Sequence, residues 1–178
     1  PLSPVQEGML FHALYEPGSW VYFDQIMVPI SGPVNEEAMF DAWRKVVSRH
    51  QILRTGFVWE GLAKPLQVVL DSVELDVQRY DWSGLDSTVA QAKFERLLCD
   101  DRNLGFNFKR HGVMRLSWVT LPDHQHQLVW SFHHILLDGW SMPVVFGELF
   151  ATYESIVDGS ELALASAPRY QDFIGWLL

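Results

Sequence analysis

Two adjacent histidines, His133 and His134, close a strongly β-prone run, and an aspartate and a glycine, Asp138 and Gly139, follow them. An imidazole exchanges a proton near neutral pH, so a histidine at the end of a strand is a candidate for acid–base chemistry. Because Asp138 is close in sequence, we expect it to fix the turn that orients the histidine. The stretch SFHHILLDGWS, residues 131–141, therefore points to chemistry rather than to packing alone.

Metal binding by this pair is disfavoured. On a regular strand His133 and His134 point to opposite faces, because only alternate side chains share a face. No third or fourth ligand follows at zinc-site spacing. A buried Asp138 carboxylate needs a cationic or hydrogen-bonding partner, and Arg54, at the entrance of another predicted strand, is the best candidate.

The composition indicates one domain with a sizeable core. The chain has 178 residues, of which 48% are apolar and 13% aromatic. A net charge of −9 argues against nucleic acid or an anionic membrane as the main partner. We find no signal peptide and no bilayer-spanning apolar run. The single cysteine, Cys99, suits a reducing compartment, so we expect a cytoplasmic protein.

Helix and strand signals alternate along the chain. Ser3, Pro4 and Gln6 have the spacing of a capped helix start, and Asn35 is positioned to cap a second helix. Further helices are predicted over 86–99, 142–157 and 170–178, and the fourth helix is expected to be well buried. Strands are predicted over 22–30, 55–59, 66–70, 75–80, 113–120 and 127–133, with the last of these central in its sheet. This mixture favours an α+β or α/β sandwich over a doubly wound parallel sheet.

Three segments, in this order, resemble motifs of the condensation domains of nonribosomal peptide synthetases. SPVQEGMLFH at residues 3–12 resembles the family's SPxQEGMLFH, and RHQILRTGF at residues 49–57 resembles RHxxLRTxF. HHILLDG at residues 133–139 resembles HHxxxDG. The resemblance implies the chloramphenicol acetyltransferase-like fold of that family, an α/β two-layer sandwich with a mixed, largely antiparallel sheet and flanking helices.

The resemblance covers only the first of the family's two lobes. Residues 1–160 match the N-terminal lobe, and residues 161–178 resemble the linker and the start of the helix that leads into the second lobe. Motifs of that C-terminal lobe are absent, so we expect the chain to be a fragment of a longer protein.

The resemblance implies formation of a peptide bond between two aminoacyl or peptidyl thioesters. These substrates are carried on the 4′-phosphopantetheine arms of donor and acceptor peptidyl carrier proteins, and the domain itself binds no cofactor. The other implied partners are the missing C-terminal lobe and a neighbouring adenylation domain.

The motif assigns a role to each residue of the loop. His134 matches the second histidine and is expected to act as base or hydrogen-bond partner of the acceptor amine, with proton abstraction and orientation both open. His133 is expected to support the loop through its ring N–H, and Asp138 to pair with Arg54. The Gly139 N–H is a candidate oxyanion donor. The position could equally be a glycine because a bulkier side chain would block the tunnel.

Trp140 and Ser141 complete the motif and are expected to be supporting residues. Ser141 is expected to cap the helix that follows. It is not a credible nucleophile, because no G-x-S-x-G elbow surrounds it.

Three alternatives stay open. A stand-alone acetyltransferase of the chloramphenicol acetyltransferase type shares the histidine motif, but the first two motifs favour the synthetase interpretation. A catalytically idle lobe that only docks carrier proteins would not need the intact HHxxxDG loop. Epimerisation domains share the histidine motif and are the hardest to exclude.

Overall fold

A computed structural model describes residues 1–109 and 113–177. The helices are α1 (Pro4–Tyr15), α2 (Glu36–Arg49), α3 (Ser87–Leu104), α4 (Met142–Asp158) and α5 (Tyr170–Leu177). The strands are β1 (Phe23–Ser31), β2 (Thr55–Val58), β3 (Leu66–Val69), β4 (Val77–Asp81), β5 (Met114–Leu121) and β6 (Gln125–His133). Every predicted element is present, and only residue 178 of the last predicted helix lies outside the described residues.

The main sheet has four strands in the order β1-β6-β5-β4. β6 pairs antiparallel with β1 and with β5, whereas β4 pairs parallel with β5. A separate antiparallel pair is formed by β2 and β3. The predicted mixed, largely antiparallel sheet with flanking helices is confirmed, and β6 occupies the predicted interior position.

The first two helices begin as their cap residues predict. The Ser3 side chain accepts a hydrogen bond from the Gln6 amide, and the Gln6 side chain accepts one from the Ser3 amide, which completes a capping box. Asn35 accepts from the Ala38 amide and starts α2. These short-range bonds satisfy amides that have no partner inside the helix, and they fix where each helix begins.

Helices cover both faces of the main sheet. The apolar stripe of α2 is buried against alternate side chains of β6, with the rings of Trp43 and Trp130 4.9 Å apart. On the opposite face Phe94 of α3 packs against Val119 and Val129. Because both faces of β6 are buried, the strand holds its C-terminal end in a fixed position for the loop that follows.

Two elements differ from their predictions. α3 continues to Leu104 instead of ending near Cys99, because Gly105, whose φ is +60°, is the first strong stop signal. α4 is less buried than its composition predicts, since only one stripe packs on α2 and Val144 and Val157 are about half exposed. Within the described residues, no helix has the length and apolar character needed to cross a membrane.

Candidate functional site

His134 follows the last residue of β6 and is held at two points by the start of β1. Its backbone N–H donates to the Tyr22 carbonyl over 2.8 Å. Its ring Nδ1 lies 2.7 Å from Asp24 Oδ2. The β1–β6 register sets this geometry: Asp24 lies opposite Phe132, so the Asp24 and His134 side chains leave the same face of the sheet at neighbouring positions.

The Asp24 contact determines which ring nitrogen of His134 is available. An ionised carboxylate only accepts hydrogen bonds, so Nδ1 must carry the proton in this pair. In the neutral ring Nε2 then keeps its lone pair, which is the form a proton acceptor requires. The His134 and Asp24 side chains are 35% and 39% exposed, so a substrate can approach the ring.

His133 has the opposite environment. Its ring is buried, its Nδ1 accepts from the Ile135 amide over 3.1 Å, and its edge packs on Phe108 with centroids 4.8 Å apart. Burial, followed by the charge of the neighbouring His134, lowers the pKa of His133 to about 4. The expected supporting role through a ring N–H is corrected, because the nitrogen that holds the loop is the acceptor.

The expected pair between Asp138 and Arg54 does not form. The Asp138 carboxylate accepts from the Ser141 amide over 3.0 Å and from the Ser141 hydroxyl over 2.9 Å. The Arg54 guanidinium donates to the Ser48 and Leu70 carbonyls. The Asp138 carboxylate is exposed rather than buried, so it does not need a cationic partner, and its Oδ1 binds the residue three positions away instead.

The rest of the motif forms a short exposed turn. Gly139–Ser141 is one turn of 3₁₀ helix that Asp138 caps. Ser141 occupies the N-cap position of α4 as predicted, but its hydroxyl donates to Asp138 and makes no capping hydrogen bond to the helix. No described atom lies within 4 Å of a Cβ built on Gly139, so crowding inside this lobe does not explain the glycine. The Trp140 side chain is 90% exposed. The oxyanion role of the Gly139 amide stays a prediction.

The other two motifs hold the histidine loop in place. Gln6 donates to the Ile135 carbonyl over 3.1 Å and so ties α1 to the residue after His134. Arg49 Nε donates to Glu148 Oε2 over 2.8 Å, and His50 Nε2 lies 2.7 Å from the same oxygen, which joins α2 to α4. These residues determine the fold around the site rather than reach into it.

A closed polar cluster lies on the face of β6 opposite Asp24. Its Asp101 carboxylate forms an ion pair with Arg115. It also accepts hydrogen bonds from the Ser131 hydroxyl over 2.5 Å and from the side-chain amide of Gln25 over 2.7 Å. The Arg115 and Asp101 side chains are 10% and 8% exposed. Arg115 also donates to the Gly105 carbonyl, so the cluster joins the end of α3 to the sheet.

A cavity of about 250 Å³ opens beside His133. Its walls include His12, Glu16, Phe23, Phe106, Phe108 and His133. It gives a ligand room next to the buried imidazole, between α1 and the segment that follows α3. Across residues 1–109 and 113–177, no three His, Cys, Asp or Glu side chains are grouped to hold a metal ion.

Sequence reasoning missed Asp24. A lone acidic residue in an apolar strand is a weak signal, because such residues usually face solvent. The β1–β6 register, which places Asp24 beside His134 across 110 positions of sequence, would have been needed to find it.

Comparison with known proteins identifies one family. The family model for the condensation domain matches residues 1–178. Two subunits of the linear gramicidin synthase of Brevibacillus parabrevis are 45% and 42% identical to the chain, each over 176 residues. Both alignments cover 99% of this chain, but only 3% and 2% of those much longer proteins.

Solved structures show the same fold. The starter condensation domain of rhizomide synthetase superposes with a TM-score of 0.89 at 17% identity, covering 99% of this chain and 40% of that one. The first condensation domain of the calcium-dependent antibiotic synthetase gives 0.88 at 20% identity, covering 99% and 42%. The chain therefore spans less than half of these solved domains.

Proposed function

The chain belongs to the condensation-domain family, and from this premise we propose that it carries the reactive histidine of a domain that forms peptide bonds in nonribosomal peptide synthesis. The α-amino group of an acceptor attacks the thioester carbonyl of a donor. A C–N bond forms, the C–S bond breaks, the amine loses a proton, and the donor's thiol leaves. Both substrates arrive on 4′-phosphopantetheine arms of carrier proteins.

The observation that carries this proposal is the His134–Asp24 pair. An α-amine has a pKa near 8, so a fraction is already neutral at physiological pH, and the attacking nitrogen loses a further proton as the amide forms. His134 presents Nε2 as a hydrogen-bond acceptor for that amine while Nδ1 is held 2.7 Å from Asp24. A positioned base or hydrogen-bond partner of this kind typically contributes about 10²–10⁴ in rate.

The neighbouring residues have separate tasks in this proposal. His133 stays neutral at physiological pH and keeps the strand end in register through the Ile135 amide. Asp138 shapes the turn that follows. The Gly139 N–H, at the exposed start of that turn, is the proposed donor to the oxyanion that forms on the thioester carbonyl.

The proposed partners are a donor and an acceptor carrier protein, the C-terminal lobe of the same domain and a neighbouring adenylation domain. The similarity to two linear gramicidin synthase proteins supports this multidomain setting. The single cysteine supports a cytoplasmic location.

The test is intact-protein mass spectrometry of the full-length protein that contains this chain, with donor and acceptor loaded on their carrier proteins. We expect the wild-type protein to move the donor onto the acceptor carrier as an amide, and His134→Ala to slow that transfer by about 10²–10⁴. His124→Asn is the matched control. It changes an exposed histidine at the other end of β6, where φ is +54° and asparagine is tolerated.

Three results would contradict the proposal. Transfer by His134→Ala at the wild-type rate would show that the ring has no chemical role. Racemisation of the donor without amide formation would indicate epimerisation. Acetyl transfer from acetyl-CoA would indicate the acetyltransferase alternative.

A further inference from the structure

The start of β1 holds His134 more closely than the loop that follows it does. The loop carboxylate, Asp138, accepts from the Ser141 amide and hydroxyl through Oδ1. The carboxylate that reaches the imidazole is Asp24, which lies outside all three sequence motifs and 110 positions earlier in the chain. We propose that Asp24 is a positioning residue for the reaction, fixing the tautomer and the ring plane of His134.

Geometry supports this role at both ends of the pair. Asp24 is fixed by the β1–β6 ladder, in which it lies opposite Phe132, and Phe132 is buried in the core. His134 is fixed by its amide, which donates to the Tyr22 carbonyl over 2.8 Å. Two rigid backbone segments therefore set the 2.7 Å contact between Nδ1 and Oδ2, and little side-chain freedom is left to misalign the ring.

The chemical consequence follows from what a carboxylate can accept. An imidazole that donates Nδ1–H to Asp24 has its lone pair on Nε2. Without the carboxylate the two neutral tautomers and several ring rotations compete, and only a fraction of molecules presents an acceptor to the amine. Partners that orient a metal-binding histidine contribute about 10–100-fold to affinity or activity when they are mutated, and we expect an effect of the same order for the partner of His134.

The competing explanation is an ordinary surface ion pair. Both side chains are more than one third exposed, and an exposed pair of this kind has a small effect on stability and none on a reaction. The two explanations differ in kinetics. A positioning residue changes kcat with little effect on KM, because it acts on the bound state through His134, whereas a surface pair changes neither.

This inference rests on the proposed function, and the experiment separates the two. The full-length protein is assayed for amide transfer between loaded carrier proteins, as wild type and as Asp24→Asn, Asp24→Ala and Asp24→Glu. Asparagine keeps the shape but can donate its amide N–H₂ to Nδ1, which favours the wrong tautomer. Asp41→Asn is the matched control, since Asp41 is an exposed carboxylate paired with Arg44 on α2.

We expect kcat to fall about 10–100-fold in Asp24→Asn and Asp24→Ala, with KM for the acceptor carrier within about twofold of wild type. Asp24→Glu, which restores a carboxylate acceptor, is expected to recover part of the loss, and Asp41→Asn is expected to match the wild type. Unchanged kcat in all three Asp24 variants, with an active wild type, would overturn the positioning role alone. A wild type that forms no amide would overturn the proposed function first.

Discussion

Two carboxylates on opposite faces of the same sheet show how a structural ion pair differs from the pair that we propose to be functional. Asp101 is 8% exposed and accepts from Arg115, Ser131 and Gln25. Asp24, on the other face, is 39% exposed and is paired with the ring of His134. The closed cluster around Asp101 includes one residue from each of β1, β5 and β6. The pair of Asp24 and His134, which we call the open pair, joins β1 to the residue that follows β6.

The two clusters differ in whether they leave a polar group available to a ligand. Around Asp101 the guanidinium, the hydroxyl and the side-chain amide all donate to protein oxygens, so the cluster is fixed and holds α3 on the sheet. Around Asp24 the second ring nitrogen of His134 is left for a ligand. A buried network that is fully satisfied gives rigidity, whereas the proposed chemistry needs a ring nitrogen that a substrate can reach.

The largest expected effect comes from opening the closed cluster. Arg115→Ala leaves the Asp101 carboxylate buried without its cation, and removing one partner of a buried pair costs about 3–5 kcal/mol. We expect the free energy of opening of β5 and β6, measured by native-state hydrogen exchange in the full-length protein, to fall by that amount. His134→Ala, measured in the same way, is expected to change it by less than about 1 kcal/mol.

The comparison between the two clusters fails if these values are reversed or equal. A stable Arg115→Ala variant would mean that water replaces the guanidinium, so that the cluster is not closed. A large loss in His134→Ala would mean that the open pair is part of the core.

An intermediate effect is expected from the buried histidine between the two clusters. Because burial lowers the pKa of His133 to about 4, the folded state keeps the ring neutral while an unfolded chain protonates it near pH 6.5. The unfolded state therefore binds more protons between these values, and the free energy of unfolding falls as the pH is lowered through this window, by up to about 3 kcal/mol.

His133→Phe removes this titration. In hydrogen exchange of β6 between pH 6.5 and pH 4.5, we expect the opening free energy of the wild type to fall more steeply than that of the variant. Equal slopes would show that the ring is protonated in the folded state and that His133 belongs with the open pair.

The smallest expected effect concerns Glu148, which joins α2 to α4. Burial tends to raise its pKa, but the hydrogen bonds from Arg49 and His50 outweigh this and the net pKa is lowered. Its contribution to stability is therefore present at neutral pH and is lost as the pH falls through the lowered pKa. Glu148→Gln is expected to cost about 1–2 kcal/mol at pH 7.

Exchange of the α2 and α4 amides at pH 7 measures this loss. The exposed pair of Asp41 and Arg44 is the control, and Asp41→Asn is expected to change the same quantity by less than about 0.5 kcal/mol. If Glu148→Gln changes this free energy of opening no more than the control does, the bonds of Glu148 to Arg49 and His50 contribute no more than an exposed ion pair.

The elements of the fold were predictable from sequence because their signals are local. The Ser3 and Asn35 caps act over three residues, and the apolar stripe of α2 is a periodic pattern. The polar partners were not predictable in the same way. Asp138 was expected to bind a distant arginine and is capped by Ser141, whereas Asp24 gave no local signal and depends on strand register. The polar groups that come together are set by strand pairing across the sheet, and the register of that pairing cannot be inferred from the local patterns of a single sequence.

The separation between Asp24 and His134 also has a consequence for biosynthesis. The two residues are 110 positions apart, and β1 has no partner in the main sheet until β6 exists. At about 5–20 residues per second, the ribosome needs roughly 5–20 seconds to synthesise the intervening chain. During that interval β1 is an unpaired strand on a nascent polypeptide, and its Pro29, which lacks an N–H donor, limits how well it can pair with a wrong partner. The Asp24–His134 pair therefore cannot form before the end of β6 has been synthesised.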